Sequence, residues 1–280
     1  MEAATPATQS PGALVVVKLG GAAGIDAQAV LEDLARMAKA GQPWVLVHGG
    51  NAELDAVSTK MGHAPRFVTS PSGHMSRVTD AETLGLIQMV YRGRINNEIV
   101  RRLQNLGVNA VGLSGVDGGL WRATRKEAVR VVENGKKFFL RDDNTGKIHT
   151  VNVNLLRLLL ANGYFPVVTL PALADTGEAL NVDGDRAAAI VASALGATVY
   201  LNLSNVPGLL RDPQDAATLV RTIPRADLEQ FEGFAQGRFK KKLLGVREAL
   251  DGGVGRVVLA TTNTQQPVES ALAGNGTVVQ

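Results

Sequence analysis

An alternation constrains this chain more than any single motif. Apolar runs of strand length, several stopped by glycine, take turns with stretches of helical periodicity. Leu14–Leu19 (LVVVKL) ends in Gly20-Gly21, and residues 27–40 follow with helical spacing. Trp44–Val47 (WVLV) stops at His48-Gly49-Gly50, and a helix runs on to about Met61. Strands that read as continuous apolar runs are covered on both faces, and helices between them supply crossover connections. The rhythm therefore predicts a mainly parallel α/β sheet with helices on both sides.

The same rhythm persists to the end of the chain. Asp80–Leu106 reads as one long helical pattern and Val108–Leu113 as a strand. Residues 128–150 read as a hairpin excursion around the turn pair Asn134-Gly135. A helix over 152–162, a strand at Phe165–Leu170, a helix from near Asp183 and a strand at Thr198–Leu203 come next. A helix over 238–251, a strand at Arg256–Ala260, a short helix and a last strand complete the pattern. No linker rich in proline or serine separates independent domains. The expectation is one continuous sheet with two lobes, residues 13–175 and 176–280, joined near the polar stretch Ala174–Glu178 and preceded by a disordered tail over 1–12.

Composition removes whole classes of chemistry. The 280 residues include no cysteine, so disulfides, thiolate nucleophiles and cysteine-held metals are excluded. No uncharged apolar run approaches the roughly 18 residues of a membrane helix. Residues 1–12 carry neither the basic nor the apolar part of a secretory leader, so the expectation is a cytoplasmic protein without a membrane partner. A net charge of +3 and 4% aromatics argue against a nucleic-acid partner. The charge is uneven, however. From Tyr91 to Lys147 there are twelve Lys+Arg against six Asp+Glu, a local +6. A solvated basic face explains this, and so does a docking surface for an acidic macromolecule.

Neither G-x-x-x-x-G-K-[ST] nor G-x-G-x-x-G occurs, so the commonest phosphate and dinucleotide loops are absent. Glycine clusters instead after strands, at Gly20-Gly21, Gly49-Gly50 and Ser114-Gly115 with Asp117-Gly118. Tight turns explain each alone; together they suit an anion held by backbone N–H groups at the carboxyl ends of parallel strands. Lys18 interrupts an apolar strand just before a glycine pair, and a charge there is costly without a partner. Asn181-Val182-Asp183-Gly184-Asp185 supplies carboxylates at a helix start, where Asn181 and Asp183 are both cap candidates and Asp185, in the first turn, is placed to orient lysines. Lys240, Lys241 and Lys242 open another helix against its dipole, which suits a nearby anion or a solvated basic face. Leu203-Ser204-Asn205-Val206-Pro207-Gly208 is a strand-end turn, which suits either a plain Pro-Gly turn or the border of a nucleotide.

VKLGG, VHGG, RVTDAET, LSGVDG, NVDGD, LSNVPGLL and a lysine-bearing helix before GGV, in this order, resemble the amino acid kinase family over nearly the whole chain. The resemblance is to its acetylglutamate kinase-like branch. It implies a three-layer αβα sandwich on an open, mainly parallel eight-stranded sheet. It also implies transfer of the γ-phosphoryl group of ATP, with Mg2+ carried by the nucleotide, to a side-chain carboxylate. By motif match, Lys18, Asp185 and Lys242 are the catalytic residues. Gly49, Gly50, Asn181 and Arg77 or Arg66 bind the acceptor, and Gly20, Gly21, Ser204, Asn205 and Gly208 border the nucleotide. No metal is assigned to a protein ligand. Asn51 stands where the family has a third glycine, and Gly237-Arg238-Phe239 where it has GGM. The longer loop Phe67–Arg77 resembles the part of the branch whose 2-aminoadipate is linked to a small acidic carrier protein, LysW; the alternative acceptor is free N-acetylglutamate. A homodimer, through the Asp80–Leu106 helix, is the family expectation.

Overall fold

The computed structural model describes residues 12–25, 27–71, 73, 75–133, 136–237 and 239–280. The Asn134-Gly135 turn, Arg238 and residues 1–11 lie outside the described residues. The alternation seen in the sequence is the architecture. Strands Phe165–Ala174, Trp44–His48, Val15–Leu19, Val199–Ser204 and Arg256–Thr261 are parallel neighbours in that spatial order, and Ala110–Gly115 pairs parallel to the first half of Phe165–Ala174. Thr277–Val279 adds antiparallel at one edge, with Thr222–Ile223 beyond it. At the other edge, Trp121–Arg125 and Gly146–Val151 pair antiparallel with each other. The sheet thus has eleven strands among the described residues rather than eight. Two of them have only two residues each, Thr222–Ile223 at one edge and Ala179–Leu180, which folds back on the end of Phe165–Ala174 around the polar stretch 175–178.

Strand periodicity sorts the side chains into two cores. Val15, Val17 and Leu19 face helices Ala27–Lys39, Asn97–Asn105 and Pro267–Leu272. Val16, Val45, Val47 and Tyr200 face helices Val153–Ala161, Gly184–Leu195 and Phe239–Asp251. This is the expected three-layer arrangement. Lys18 shares the face of Val16, and it sits opposite Asn202 in the register between the two central strands. Two polar residues on one otherwise apolar face therefore look up at the starts of two helices.

Three local features depart from a plain reading of the pattern. The stretch read as one helix over 80–106 is continuous, but its middle, Gln88–Asn96, is wound as a π-helix between Ala81–Ile87 and Asn97–Asn105. The excursion after residue 128 gives strands Val129–Glu133 and Lys136–Leu140, which pair antiparallel. They join Phe67–Thr69 and Met75–Arg77 in a separate four-stranded sheet. The longer loop is thus an antiparallel pair that places Arg77 opposite Phe67.

Asp33, fully buried, ties the last helix to the first. Its Oδ2 accepts the N–H groups of Val268 at 2.6 Å and Glu269 at 3.2 Å, and its other oxygen pairs with Arg36. Asp33→Ala is expected to cost about 2 kcal/mol, typical of stranding buried donors. The measure is a lower urea midpoint at unchanged m value; an unchanged midpoint would refute the role.

Candidate active site

The carboxyl ends of the central strands and the N-termini of two helices converge on Asp185. Asp183 is the cap of helix Gly184–Leu195: its Oδ1 accepts the N–H groups of Asp185 at 3.0 Å and Arg186 at 3.2 Å. That cap fixes Asp185 in the first turn, where the positive end of the helix dipole favours its charge. Lys18 Nζ lies 2.7 Å from Asp185 Oδ1, and Lys242 Nζ lies 3.5 Å from both carboxylate oxygens. Asn202 completes the set. It donates to Asp185 Oδ1 at 3.1 Å and accepts from Lys242 Nζ at 2.9 Å. Tyr200 donates its hydroxyl proton to the Asp185 carbonyl at 3.0 Å. The side chains of Lys18, Asp185 and Lys242 are only 9%, 13% and 13% exposed.

Burial opposes ionisation of Asp185, but Lys18 and Lys242 outweigh it and hold its carboxyl well below the usual range. Lys242 moves the other way. Burial is the larger influence on it and Asp185 offsets only part, so its pKa falls to about 8. One carboxylate thus holds two ammonium groups, and the cluster keeps an excess positive charge turned toward open space.

That space is two cavities meeting at one point. Lys18, Gly21, Asn51 and Asp185 line both. The first, about 200 Å³, is also lined by Gly49, Phe67, Arg77, Asn181, Lys126 and Lys241. The second, about 330 Å³, is lined by Gly20, Ser204, Asn205, Gly208 and Lys242, with apolar walls from Leu209 and Phe239. Arg77 is buried, pairs with Asp55 and lies 4.8 Å over the Phe67 ring. Its Nη1 is buried without a hydrogen-bond partner, a donor suited to an incoming carboxylate. Asn181 is held by a bond from its Nδ2 to Thr79 Oγ1 at 2.9 Å. Arg66 is exposed and is not among the residues lining either cavity. The alternation of the Phe67–Arg77 strand pair turns Arg77, not Arg66, inward.

The two glycine pairs pack backbone against backbone. A Cβ on Gly21 would lie 2.1 Å from the Gly50 nitrogen, so only glycine permits this approach. Gly49 donates its N–H to the Leu19 carbonyl at 3.0 Å. It therefore supplies close approach rather than a donor, and of the pair expected to offer two N–H groups only Gly50 is left, which is not among the residues lining either cavity but packs against Gly21, which lines both. Asn205 Nδ2 reaches the Ala23 carbonyl at 3.3 Å and links the strand-end turn to the Gly20-Gly21 loop. Lys241 reaches the first cavity instead of the second, 3.0 Å from Ser76 Oγ and 3.5 Å from Asp183. Asn202, Asn51 and Tyr200 were not singled out for the site from sequence. Asn202 carried the same signal as Lys18, a polar residue inside an apolar strand.

A family model for the amino acid kinase family matches residues 13–261, and the chain belongs to this family. It is accordingly a phosphotransferase of a family that uses ATP. The LysW-aminoadipate kinase of Deinococcus radiodurans is 55% identical over 266 residues, covering 95% of this chain and 91% of its own. The LysW-aminoadipate kinase of Thermus thermophilus is 49% identical, covering 95% and 100%. The acetylglutamate kinase of Methanopyrus kandleri stands further off at 38%, covering 95% and 99%. Among solved structures, N-acetylglutamate synthase from Neisseria gonorrhoeae overlays with a TM-score of 0.78 at 23% identity. This chain spans 96% of itself and 59% of that one, a likeness of fold.

Lys242 supplies the pH signature of the site. Its ammonium form is the attractive one for phosphate, and it loses its proton as pH rises through about 8. kcat/KM for ATP, which reports the free enzyme, is expected to fall above that pH. Lys242→Arg, always charged, should remove the fall, whereas Asp185→Asn should move it to lower pH by removing the charge that raises Lys242. An identical alkaline limb in all three proteins would dismiss Lys242 as its origin.

Proposed function

We propose that this chain transfers the γ-phosphoryl group of ATP to the side-chain carboxylate of 2-aminoadipate linked to the acidic carrier protein LysW, a step of lysine biosynthesis. The observation that carries the reading is the junction of two cavities at Lys18 and Asp185, one with a buried guanidinium whose Nη1 has no hydrogen-bond partner and the other with the strand-end turn. Two relatives near half identity that bear this activity in their names support the choice of acceptor over free N-acetylglutamate.

In this reading the first cavity takes the acceptor, with Arg77 and Asn181 as its polar contacts and Gly50, packed against the lining residue Gly21, as a backbone donor at its edge. The second takes ATP, bordered by Gly20, Gly21, Ser204, Asn205 and Gly208. Residues 13–175 and 176–280 are the acceptor and nucleotide lobes, although Asn181, Asp183 and Lys241 reach across into the acceptor cavity. A carboxylate oxygen attacks the γ-phosphorus, the bond from phosphorus to the bridging oxygen of ADP breaks, and the products are an acyl phosphate and ADP. The acceptor is already ionised, so no base removes a proton. Catalysis is positioning and cationic stabilisation. Lys18, which lines both cavities, holds the migrating group; Lys242, on the nucleotide side, stabilises charge on the leaving ADP. Asp185 spaces and orients both. Its oxygens are occupied by lysines and Asn202, so it is a holder of cations rather than a metal ligand, and Mg2+ travels on the ATP phosphates. A cytoplasmic homodimer completes the proposal; no described helix is long and apolar enough to cross a membrane.

The basic segment gains a partial purpose. Arg101 and Arg102 are spent on Glu98, and Arg92 contacts Asp117. Lys126 instead lines the acceptor cavity, where burial and the nearby Lys241 and Arg186 lower its pKa. Arg186 is itself held by Glu248, so Lys126, with Lys241 from outside the basic segment, faces whatever delivers the acceptor, which suits an acidic carrier.

The test is ATP-dependent hydroxamate formation with carrier-linked 2-aminoadipate and N-acetylglutamate in parallel. Turnover of the carrier-linked substrate is expected, and turnover of N-acetylglutamate alone would reject the proposal. Raising salt should increase KM for the carrier-linked acceptor while barely changing that of a small one. Equal salt responses would reject docking through these cations. Lys18→Ala and Lys242→Ala should each lower kcat by about a hundredfold or more, the scale of losing one preorganised electrostatic contact.

A further inference from the structure

His48 and Asn96 form a fully buried pair that the phosphoryl-transfer machinery does not touch. Asn96 Nδ2 lies 3.0 Å from His48 Nε2 and donates to the Val167 carbonyl at 2.9 Å. Its Oδ1 accepts from Arg92 at 3.2 Å. A carbonyl at one end and a guanidinium at the other fix which way the amide points. Asn96 therefore donates to His48, so His48 Nε2 is the accepting nitrogen and Nδ1 carries the proton. That Nδ1 lies 3.0 Å from the Gly49 carbonyl oxygen, which accepts the proton's hydrogen bond. Burial keeps the ring neutral, with its pKa lowered to about 4.

The chain has made room for this pair. Asn96 closes the π-wound turn Gln88–Asn96, and an added residue per turn is how a helix re-aims a side chain inward. A Cβ on Gly112 of the neighbouring strand would lie 2.2 Å from Asn96 Oδ1, so glycine is needed there too. The consequence lies one bond further on. In a trans peptide the carbonyl of one residue and the N–H of the next point to opposite sides. Holding the Gly49 carbonyl on the buried side turns the Gly50 N–H to the other side, and the Gly50 nitrogen packs against Gly21, which has no side chain and lines both cavities.

We propose that His48 and Asn96 are positioning residues that lock the Gly49–Gly50 peptide so that the Gly50 N–H faces the reacting carboxylate of the acceptor. The inference rests on reading the first cavity as the acceptor site. The π-turn, Gly112 and Gly21 then serve one purpose, a single aimed backbone donor.

Two measurements on the full-length chain test it. In the first, His48→Leu is expected to lower kcat/KM for the acceptor by about tenfold or more, the size of one hydrogen bond to a charged group, while KM for ATP stays near its original value. His48→Asn, whose Nδ2 occupies the place of imidazole Nδ1, should recover most of that loss. Equal losses toward both substrates, or no recovery in His48→Asn, would overturn the proposal. In the second, glycine is labelled with 13C at the carbonyl and 15N in the unaltered protein. Only the peptides 20–21, 49–50, 118–119 and 252–253 then couple both labels. Adding acceptor should move the Gly50 amide proton downfield, and an unmoved signal overturns the proposal even if His48→Leu fails to fold. If N-acetylglutamate proves the acceptor, the carrier reading falls while this titration, repeated with N-acetylglutamate, still decides the inference, because both molecules present a carboxylate.

Discussion

The site depends on a buried charge imbalance. Asp185 sits between Lys18 and Lys242 in a place where each ion loses most of its water. A single carboxylate stabilises one ammonium group well and two only in part. Asn202 shares the load by accepting from Lys242 and donating to Asp185. The result is a cluster that stays cationic with its net charge facing a cavity, and an anionic ligand relieves what the protein leaves uncompensated. The lysines at the start of helix Phe239–Asp251, unfavourable by the helix dipole alone, make sense in the same terms, with Asp183 and Asp185 across from them.

The sheet sets the geometry of this cluster. Pairing of Val15–Leu19 with Val199–Ser204 puts Lys18 opposite Asn202, and strand alternation sends both toward the same helix layer. The first turn of helix Gly184–Leu195 lies directly above. Glycine pairs at the ends of two neighbouring strands then let their loops touch, so that two cavities share one floor. Acceptor and donor approach from different sides of the same ion cluster, which is what transfer between two ligands demands.

Much of this was legible in the sequence because it rests on local rules. The α/β rhythm follows from side-chain period, and Lys18 announced itself as a charge in an apolar strand. Asp183 as a cap and Asp185 as a partner followed from their place at a helix start. Other features escaped because they depend on what lies across the fold. Asn202 shows in the sequence only as a polar residue in an apolar strand, and its place opposite Lys18 and its bond to Asp185 come from the fold. The choice between Arg66 and Arg77 turned on which side of a short antiparallel strand pair faced inward, and adjacent loop residues give no period long enough to read. The π-wound turn was invisible for a related reason: one extra residue in a helix of twenty-odd shifts the apolar stripe too little to break the pattern.

The sequence by itself determined the layer order, the positions of the strand-end turns and the identity of the buried ions, because periodicity, glycine and desolvation act along or immediately beside the chain. Only the tertiary structure decided which way each donor points. It spent the Gly49 N–H on Leu19, sent Lys241 to one cavity and Lys242 to the other, and brought His48, Asn96 and Gly112 together from three separate elements. The physical reason is that a hydrogen bond is directional and is settled by register, winding and peptide orientation, quantities fixed only when distant segments pack.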